Sequence, residues 1–136
     1  MSSPTKDVTA AIWIEAGRVL VARRPVGPPQ GGQWEFPGGK VEPDESPEAC
    51  LQREICEELG VEIIVGAFFA ESLYPYANGA IRLLAYRVHR AAPGELRLHV
   101  HDELRWVTAA ELAAIDFLPA DIPLAHRLAA SGILPA

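Results

Sequence analysis

The chain has 136 residues, of which 49% are hydrophobic and 22% are charged, which is typical of one globular domain. Its net charge of −6 argues against a general nucleic-acid binder, because such proteins carry a basic stripe. No apolar run approaches the roughly 20 residues that a membrane-spanning helix requires. We therefore expect neither a nucleic-acid polymer nor a membrane as a partner.

The first residues and the two cysteines favour a cytoplasmic location. The opening stretch, MSSPTKDV, lacks the charged start and apolar core of a signal peptide. Cys50 and Cys56 fall on one predicted helix, roughly 9 Å apart along its axis, which exceeds the Cα separation of about 7 Å that a disulfide tolerates. We expect two free, buried thiols, which fit a reducing compartment.

The first part of the chain predicts strands separated by loops. Residues 8–24 show an alternating apolar pattern and predict two strands joined by a tight turn. The segment 25–32 is rich in proline and glycine, so we predict a loop. Residues 33–36, QWEF, are predicted to be extended, and residues 37–45, PGGKVEPDE, to form a second loop.

Several sequence features predict a helix after the second loop. Ser46 is a favoured N-cap, and Pro47 suits the first helical position. Apolar residues then recur at every fourth position from Leu51 to Leu59, and Gly60 is a natural stop. We therefore predict a helix between Ser46 and Gly60.

The rest of the chain predicts three extended segments and up to two further helices. The extended segments are 61–74, 80–90 and 95–107. Thr108 and Glu111 fit a capping box, and a last helix is predicted from about Asp121 to Ala130. Because no internal repeat or long linker divides the chain, we expect residues 1–136 to form one mixed α/β domain.

The central helix carries a concentrated negative charge. Seven of the 18 acidic residues lie between Glu42 and Glu58. Glu54, Glu57 and Glu58 share one face of the helix, about 110° from its apolar stripe, where like charges repel. Such a face is either simply solvated or binds a hard divalent cation, since carboxylate oxygens are the ligands that Mg²⁺ prefers. The preceding glycines let backbone approach a ligand closely, and Lys40 is placed to meet a phosphate.

These residues resemble a known family. Gly39, Glu45 and the run REICEELGV, residues 53–61, have the identities and spacing of the Nudix box. The resemblance extends to RRP, WEFPGGKVEPDES and FLPADIPL, which look like the MutT-like branch and especially its cytidine triphosphate pyrophosphohydrolases. It therefore covers most of the chain and is far more specific than a lone glycine-rich loop.

The resemblance implies a fold and an activity. The Nudix fold is a mixed β-sheet sandwiched between α-helices. The implied enzyme uses Mg²⁺, or Mn²⁺, to hydrolyse a nucleoside triphosphate to the monophosphate and pyrophosphate by attack at the β-phosphorus. It would act in nucleotide-pool sanitation and so in DNA repair, on a cytidine-type or oxidised substrate such as 8-oxo-dGTP, as a monomer or homodimer.

Two alternatives remain open. The first is a Nudix hydrolase of another nucleoside diphosphate derivative, such as a dinucleoside polyphosphate or a sugar nucleotide. The second is a nucleotide-binding module that does not cleave its ligand, although such a module usually has a damaged box and an attached output domain.

The resemblance also assigns roles to residues of the box. It makes Glu57 and Glu58 the main metal ligands and Glu54 a third acid that binds metal or accepts a proton from water. It makes the Gly38 carbonyl part of the metal shell. Arg53 would orient the glutamates.

Outside the metal site, the resemblance assigns Arg24, together with Lys40, to phosphate binding. It implies that Asp121 reads the base, although Asp121 is equally suited to capping the last helix. An ionised carboxylate accepts hydrogen bonds only, so we expect Asp121 to favour the amino group of cytosine. Four aromatic residues are candidates for stacking on the base: Trp34, Phe36, Tyr74 and Tyr76.

One position departs from the family pattern. A further metal-binding glutamate often lies six residues before a tryptophan, but here Val100 stands six residues before Trp106. Neighbouring residues with ligating side chains are His99, His101, Asp102 and Glu103. The departure makes the number of metal ions uncertain beyond the first.

Overall fold

The computed structural model describes residues 4–27 and 31–135, so the middle of the predicted loop at 25–32 lies outside the described residues. Its strands are β1 (Thr5–Glu15), β2 (Arg18–Arg23), β3 (Trp34–Glu35), β4 (Ile63–Tyr76), β5 (Gly79–Arg90) and β6 (Glu103–Val107). Its helices are α1 (Pro47–Leu59), α2 (Ala109–Leu112) and α3 (Ile122–Ala130), and a single 3-10 turn, Pro119–Asp121, precedes α3.

The strands form one mixed sheet in the order β3-β2-β1-β5-β4, with β6 also paired to β2. Strands β1 and β5 are parallel along most of their length, and the other neighbouring strands are antiparallel. The glycine-containing loop after β3 runs beside β1, because Ala11 N–H donates to Pro37 O and Val41 N–H donates to Asp7 O. This pairing places the loop next to the start of α1.

Helices cover both faces of the sheet. Successive residues of β1 point to opposite faces, and the central part of the strand is buried. One face packs Ala11 and Trp13 against the apolar stripe of α1, and the other packs Ile12 against Leu124 and Leu128 of α3. The predicted α/β/α sandwich is therefore confirmed.

Local signals position α1 as expected. Ala49 N–H donates to the Ser46 hydroxyl at 3.1 Å, and Gly60 adopts a left-handed conformation with φ of 72° at the end of the helix. The segment before β6 adds a second restraint, since Arg97 N–H and His99 N–H donate to the Leu59 and Glu58 carbonyls. Both ends of the glutamate-bearing helix are therefore fixed.

Some sequence predictions need correction. Within the predicted extended segment 95–107, only Glu103–Val107 forms a strand. Earlier in the segment, the backbone N–H groups of Arg97 and His99 donate to carbonyls at the end of α1. Cys50 is buried, but Cys56 is exposed, and neither forms a disulfide. None of the helices within the described ranges has the length and apolar character needed to cross a bilayer.

Candidate active site

Arg53 forms ion pairs with acidic residues of α1 and of the preceding loop. Its guanidinium donates to Glu45 at 2.7 and 3.0 Å, to Glu54 at 3.1 Å and to Glu57 at 3.3 Å. The pairing with Arg53 lowers the pKa of Glu45 to about 2. The predicted orienting role of Arg53 agrees with this geometry, since one cation contacts three carboxylates.

Glu58 is held in a different environment from its exposed neighbour Glu57. Its Oε1 is buried and has no hydrogen-bond partner among the described residues. Burial raises the pKa of Glu58 to about 9, with further contributions from the nearby carboxylates of Glu35 and Glu54, while a hydrogen bond from the Gly38 backbone opposes the rise. Glu58 therefore lacks the positive charge that would stabilise its ionised form.

Two glycines allow the loop to pack against these glutamates. A Cβ atom on Gly39 would overlap the carboxylate of Glu54. A Cβ atom on Gly38 would overlap the backbone carbonyl of Thr9 on β1. Glycine is therefore required at position 38 by the neighbouring backbone, whereas a side chain at position 39 would displace the Glu54 carboxylate.

The carboxylate cluster fits a divalent cation chemically. As they stand, no three acidic, histidine or cysteine side chains within residues 4–27 and 31–135 form a ready-made metal cage. The Arg53 guanidinium instead lies between Glu54 and Glu57. The unpartnered Glu58 oxygen and the neighbouring carboxylates nevertheless match the oxygen-rich surroundings that a hard cation prefers, and a bound cation would favour the ionised form of Glu58.

A pocket of about 260 Å³ leads away from the glycine loop. It is lined by Gly38, Gly39 and Lys40 of that loop and also by Asp121. Arg24 also lines it. The sequence-predicted phosphate and base residues therefore share one pocket with the predicted Gly38 ligand.

Asp121 lines this pocket and is only 5% exposed. Its side chain makes no capping bond to α3; instead, Oδ2 accepts a hydrogen bond from Phe36 N–H at 2.9 Å. Burial raises the pKa of Asp121 to about 8, and this hydrogen bond only partly opposes the rise. The raised pKa favours the protonated carboxyl near neutral pH, in contrast to the ionised, accept-only group expected from the sequence.

Glu35 is a site residue that the sequence did not reveal. It follows Trp34 on β3, yet its side chain is only 12% exposed and lines the pocket. Arg24 donates to Glu35 Oε1 at 3.1 and 3.2 Å, and His101 Nε2 lies 2.8 Å from Oε2. The predicted phosphate-binding Arg24 is therefore paired with a carboxylate here, and alternation along β3 gave no sign of Glu35 burial.

The candidates around Val100 have other partners. His99 Nδ1 lies 2.8 Å from the Glu57 carbonyl, and His101 is bound to Glu35. Asp102 pairs with Arg23 at 2.7 Å, and Glu103 also pairs with that arginine. The side chain of Val100 itself is about half exposed.

The aromatic candidates for base stacking separate into two groups. Trp34 and Phe36 are buried, and the Phe36 ring stacks on Phe117 with a centroid distance of 5.0 Å. Tyr74 is 38% exposed and lines the pocket. Tyr74 therefore has the most suitable position of the four for contact with a bound base.

Comparison with known proteins places this site in a family. The family model for the NUDIX domain matches residues 4–128. The chain is 43% identical over 118 residues to the CTP pyrophosphohydrolase of Escherichia coli strain K12, covering 87% of each protein. It is 44% identical over 117 residues to the putative 8-oxo-dGTP diphosphatase 2 of Mycobacterium tuberculosis, covering 84% of this chain and 81% of that protein.

Solved structures agree with these matches. The solution structure of the E. coli ORF135 protein has a TM-score of 0.83 and 40% identity, covering 98% of this chain and 96% of that one. The MutT protein from Methanosarcina mazei Go1 has the same fold, with a TM-score of 0.80 at 24% identity and 95% coverage of both chains. Nudix hydrolases generally use divalent metal ions and act on small-molecule nucleotides. The chain therefore belongs to the Nudix family and is a hydrolase that acts on phosphoric anhydrides.

Proposed function

We propose that this protein is a Mg²⁺-dependent pyrophosphohydrolase that converts a nucleoside triphosphate and water to the monophosphate and pyrophosphate. One observation carries the proposal. The glycine loop, which lies beside the carboxylate cluster, and the buried carboxyl group of Asp121 line the same pocket. A triphosphate placed along this pocket would have its anhydride near the glutamates and its base near Asp121. The names of the two relatives described above support the same substrate class.

In this proposal the residues of α1 hold the cation. Glu57 and Glu58 are the principal ligands, assisted by the Gly38 carbonyl, and Mn²⁺ can replace Mg²⁺. When bound, the ion neutralises phosphate charge and lowers the pKa of water. Glu54 either completes the metal shell or accepts the proton of the attacking water.

The remaining polar residues of the pocket bind and orient the triphosphate. Lys40 is exposed and lines the pocket, so its ammonium can pair with phosphate oxygens. Arg24 can do the same if it exchanges its Glu35 partner for phosphate, because its side chain is 47% exposed. Arg53 keeps Glu45 as its partner, so it can continue to orient the helix carboxylates when the substrate binds.

The base is proposed to be read by the protonated form of Asp121. A carboxylic acid offers one donor and one acceptor. Cytosine presents an amino donor beside the N3 acceptor, and 8-oxoguanine presents an N7–H donor beside the O6 acceptor. Unmodified guanine presents two acceptors, N7 and O6, so one of them would be left facing the acceptor oxygen. The pocket is therefore suited to cytidine-type and oxidised guanine nucleotides.

A substrate panel tests this proposal. Substrate loss and the nucleotide products should be measured by chromatography with Mg²⁺ for CTP, dCTP, dGTP and 8-oxo-dGTP, with CDP-choline and a dinucleoside tetraphosphate as competing substrate classes. We expect kcat/KM for CTP, dCTP or 8-oxo-dGTP to exceed that for dGTP by roughly 5- to 150-fold, the effect of one wrong polar pairing of about 1–3 kcal/mol. A marked preference for either competing class would contradict the proposed substrate.

A further inference from the structure

Thr9 is a polar residue at a position where the fold calls for an apolar one. It lies on the central strand β1, is only 1% exposed, and is followed in the sequence by two fully buried alanines, Ala10 and Ala11. Burying a hydroxyl without a hydrogen-bond partner is unfavourable, and valine has nearly the same shape without that requirement. The hydroxyl must therefore be satisfied by specific partners.

Those partners belong to the glycine loop and to α1. The Thr9 hydroxyl donates to Gly39 O at 3.1 Å and accepts from Gly39 N–H at 3.4 Å. It also lies 3.5 Å from Cys50 Sγ, and that sulfur in turn lies 3.4 Å from Gly39 O. One side chain thus links β1 to the loop and to the glutamate-bearing helix.

The bond to Gly39 N–H fixes more than Gly39. That N–H and the Gly38 carbonyl belong to the same planar trans peptide, in which they point in opposite directions. Holding the N–H toward Thr9 therefore directs the Gly38 carbonyl away from β1. The same peptide unit is packed tightly against the Glu54 carboxylate, as the overlap of any Cβ at Gly39 shows.

We propose that Thr9 is a positioning residue, whose hydroxyl sets the Gly38–Gly39 peptide in the orientation required for cation binding. This inference rests on the proposed function. Thr9 itself contacts neither the cation nor the reacting atoms. Its loss should therefore weaken metal binding and raise the metal requirement, while leaving the enzyme able to turn over at high metal concentration.

The experiment compares Thr9→Val, which removes the hydroxyl, with Thr9→Ser, which keeps it. Thr5→Val, at an exposed threonine of the same strand, is the matched control. Mn²⁺ binding without substrate is measured from the loss of the free-ion electron paramagnetic resonance signal, and the Mg²⁺ dependence of kcat is measured separately. We expect at least a fivefold weaker Mn²⁺ affinity for Thr9→Val, rescue to within twofold by Thr9→Ser, and no change for Thr5→Val.

The outcomes separate this inference from the proposed function. Equal Mn²⁺ affinity in wild type and Thr9→Val would overturn the positioning role while leaving the metal site intact. An activity loss in Thr9→Val that persists equally at every Mg²⁺ concentration would also overturn it, since that pattern indicates a purely structural effect. Absence of Mn²⁺ binding by the wild type would instead contradict the proposed function and, with it, the inference. If Thr9→Val fails to fold, Thr9→Ala provides the second test, because it removes the same hydroxyl without placing a methyl group against Gly39; unchanged Mn²⁺ affinity in Thr9→Ala would then contradict the inference.

Discussion

Asp121 Oδ2 accepts a hydrogen bond from Phe36 N–H at 2.9 Å, and this contact joins the turn before α3 to the strand segment that precedes the glycine loop. The loop continues from Phe36 to the glycines that pack against Glu54. One continuous stretch of backbone therefore connects the proposed base-reading residue to the proposed metal site. A distortion at either end is expected to affect the other.

Substituting Glu57 by glutamine tests the proposed ligands. Glu57→Gln keeps the size of the side chain but removes a negative charge from the cluster. We expect kcat to fall by about 100-fold or more, roughly 3 kcal/mol of transition-state stabilisation. Without metal, the unfolding temperature should hold or rise slightly, because repulsion within the cluster is relieved while an exposed pair with Arg53 is worth only about 0.3–0.5 kcal/mol.

Glu48→Gln provides the control for that measurement, because Glu48 is an exposed residue in the first turn of the same helix. Its kcat should remain within about twofold of wild type, since it contacts none of the site residues. If the Glu57→Gln variant turned over substrate at nearly the wild-type rate, Glu57 would not be a metal ligand.

The close contact between Gly39 and Glu54 leads to a prediction that depends only on steric overlap. Its backbone conformation is open to other residues, but a Cβ would overlap the Glu54 carboxylate. We expect Gly39→Ala to fold and to lose at least tenfold in kcat, because Glu54 must move away. The control is Gly94→Ala, whose Cβ would come no closer than 3.7 Å to Val61. A crystal structure of Gly39→Ala with Glu54 unmoved, or unaltered kcat, would show that the contact is unimportant.

Val100 offers a gain-of-function test. The neighbouring histidines and Asp102 are already engaged with other partners, so none of them stands as a free replacement for the missing glutamate. Val100→Glu should therefore lower the Mg²⁺ concentration needed for half-maximal activity, whereas the uncharged Val100→Gln should not. Identical Mg²⁺ dependence in both variants and the wild type would place this segment outside the metal shell.

The raised pKa of Asp121 predicts activity that depends on pH. Below a pKa of about 8 the acid form can donate to O6 of 8-oxoguanine or to N3 of cytosine, and this ability is lost as the pH rises through that value. Each base keeps one favourable contact, because the ionised group still accepts from N7–H of 8-oxoguanine or from the amino group of cytosine. We expect kcat/KM for 8-oxo-dGTP and kcat/KM for CTP both to fall severalfold between pH 6.5 and pH 9.

Asp121→Asn supplies the control for this titration, since its amide donates and accepts at every pH. Its kcat/KM values for the two substrates should not show the wild-type fall between pH 6.5 and pH 9. Because titration of the substrate itself affects both proteins equally, the difference between them isolates the titration of Asp121. Parallel pH profiles for the two proteins would mean that Asp121 does not read the base.

The sequence predicts α1 and the placement of its charged residues well because the relevant signals are local. The cap at Ser46, the apolar stripe and the stop at Gly60 all lie within one short segment, and the spacing of the glutamates follows directly from helical periodicity. The structure places Arg53 among these carboxylates, as that spacing allows.

The remaining site residues depend on contacts between distant parts of the chain, and no local pattern reports them. Glu35 is buried because Arg24 and His101 enclose it, and His101 comes from the other end of the sequence. Thr9 resembles an ordinary strand residue until the glycine loop is placed beside β1. The protonated state of Asp121 likewise arises from tertiary burial rather than from its neighbours in sequence.

Hydrolysis of CTP in ¹⁸O-labelled water with Mg²⁺, followed by ³¹P nuclear magnetic resonance of the products, tests the central claim most directly. It identifies both the bond that is cleaved and the phosphorus that is attacked. We predict CMP and pyrophosphate as products, with the label in pyrophosphate and no reaction when Mg²⁺ is removed. Release of CDP and inorganic phosphate, or cleavage that continues at the same rate without a divalent metal, would contradict a metal-dependent pyrophosphohydrolase.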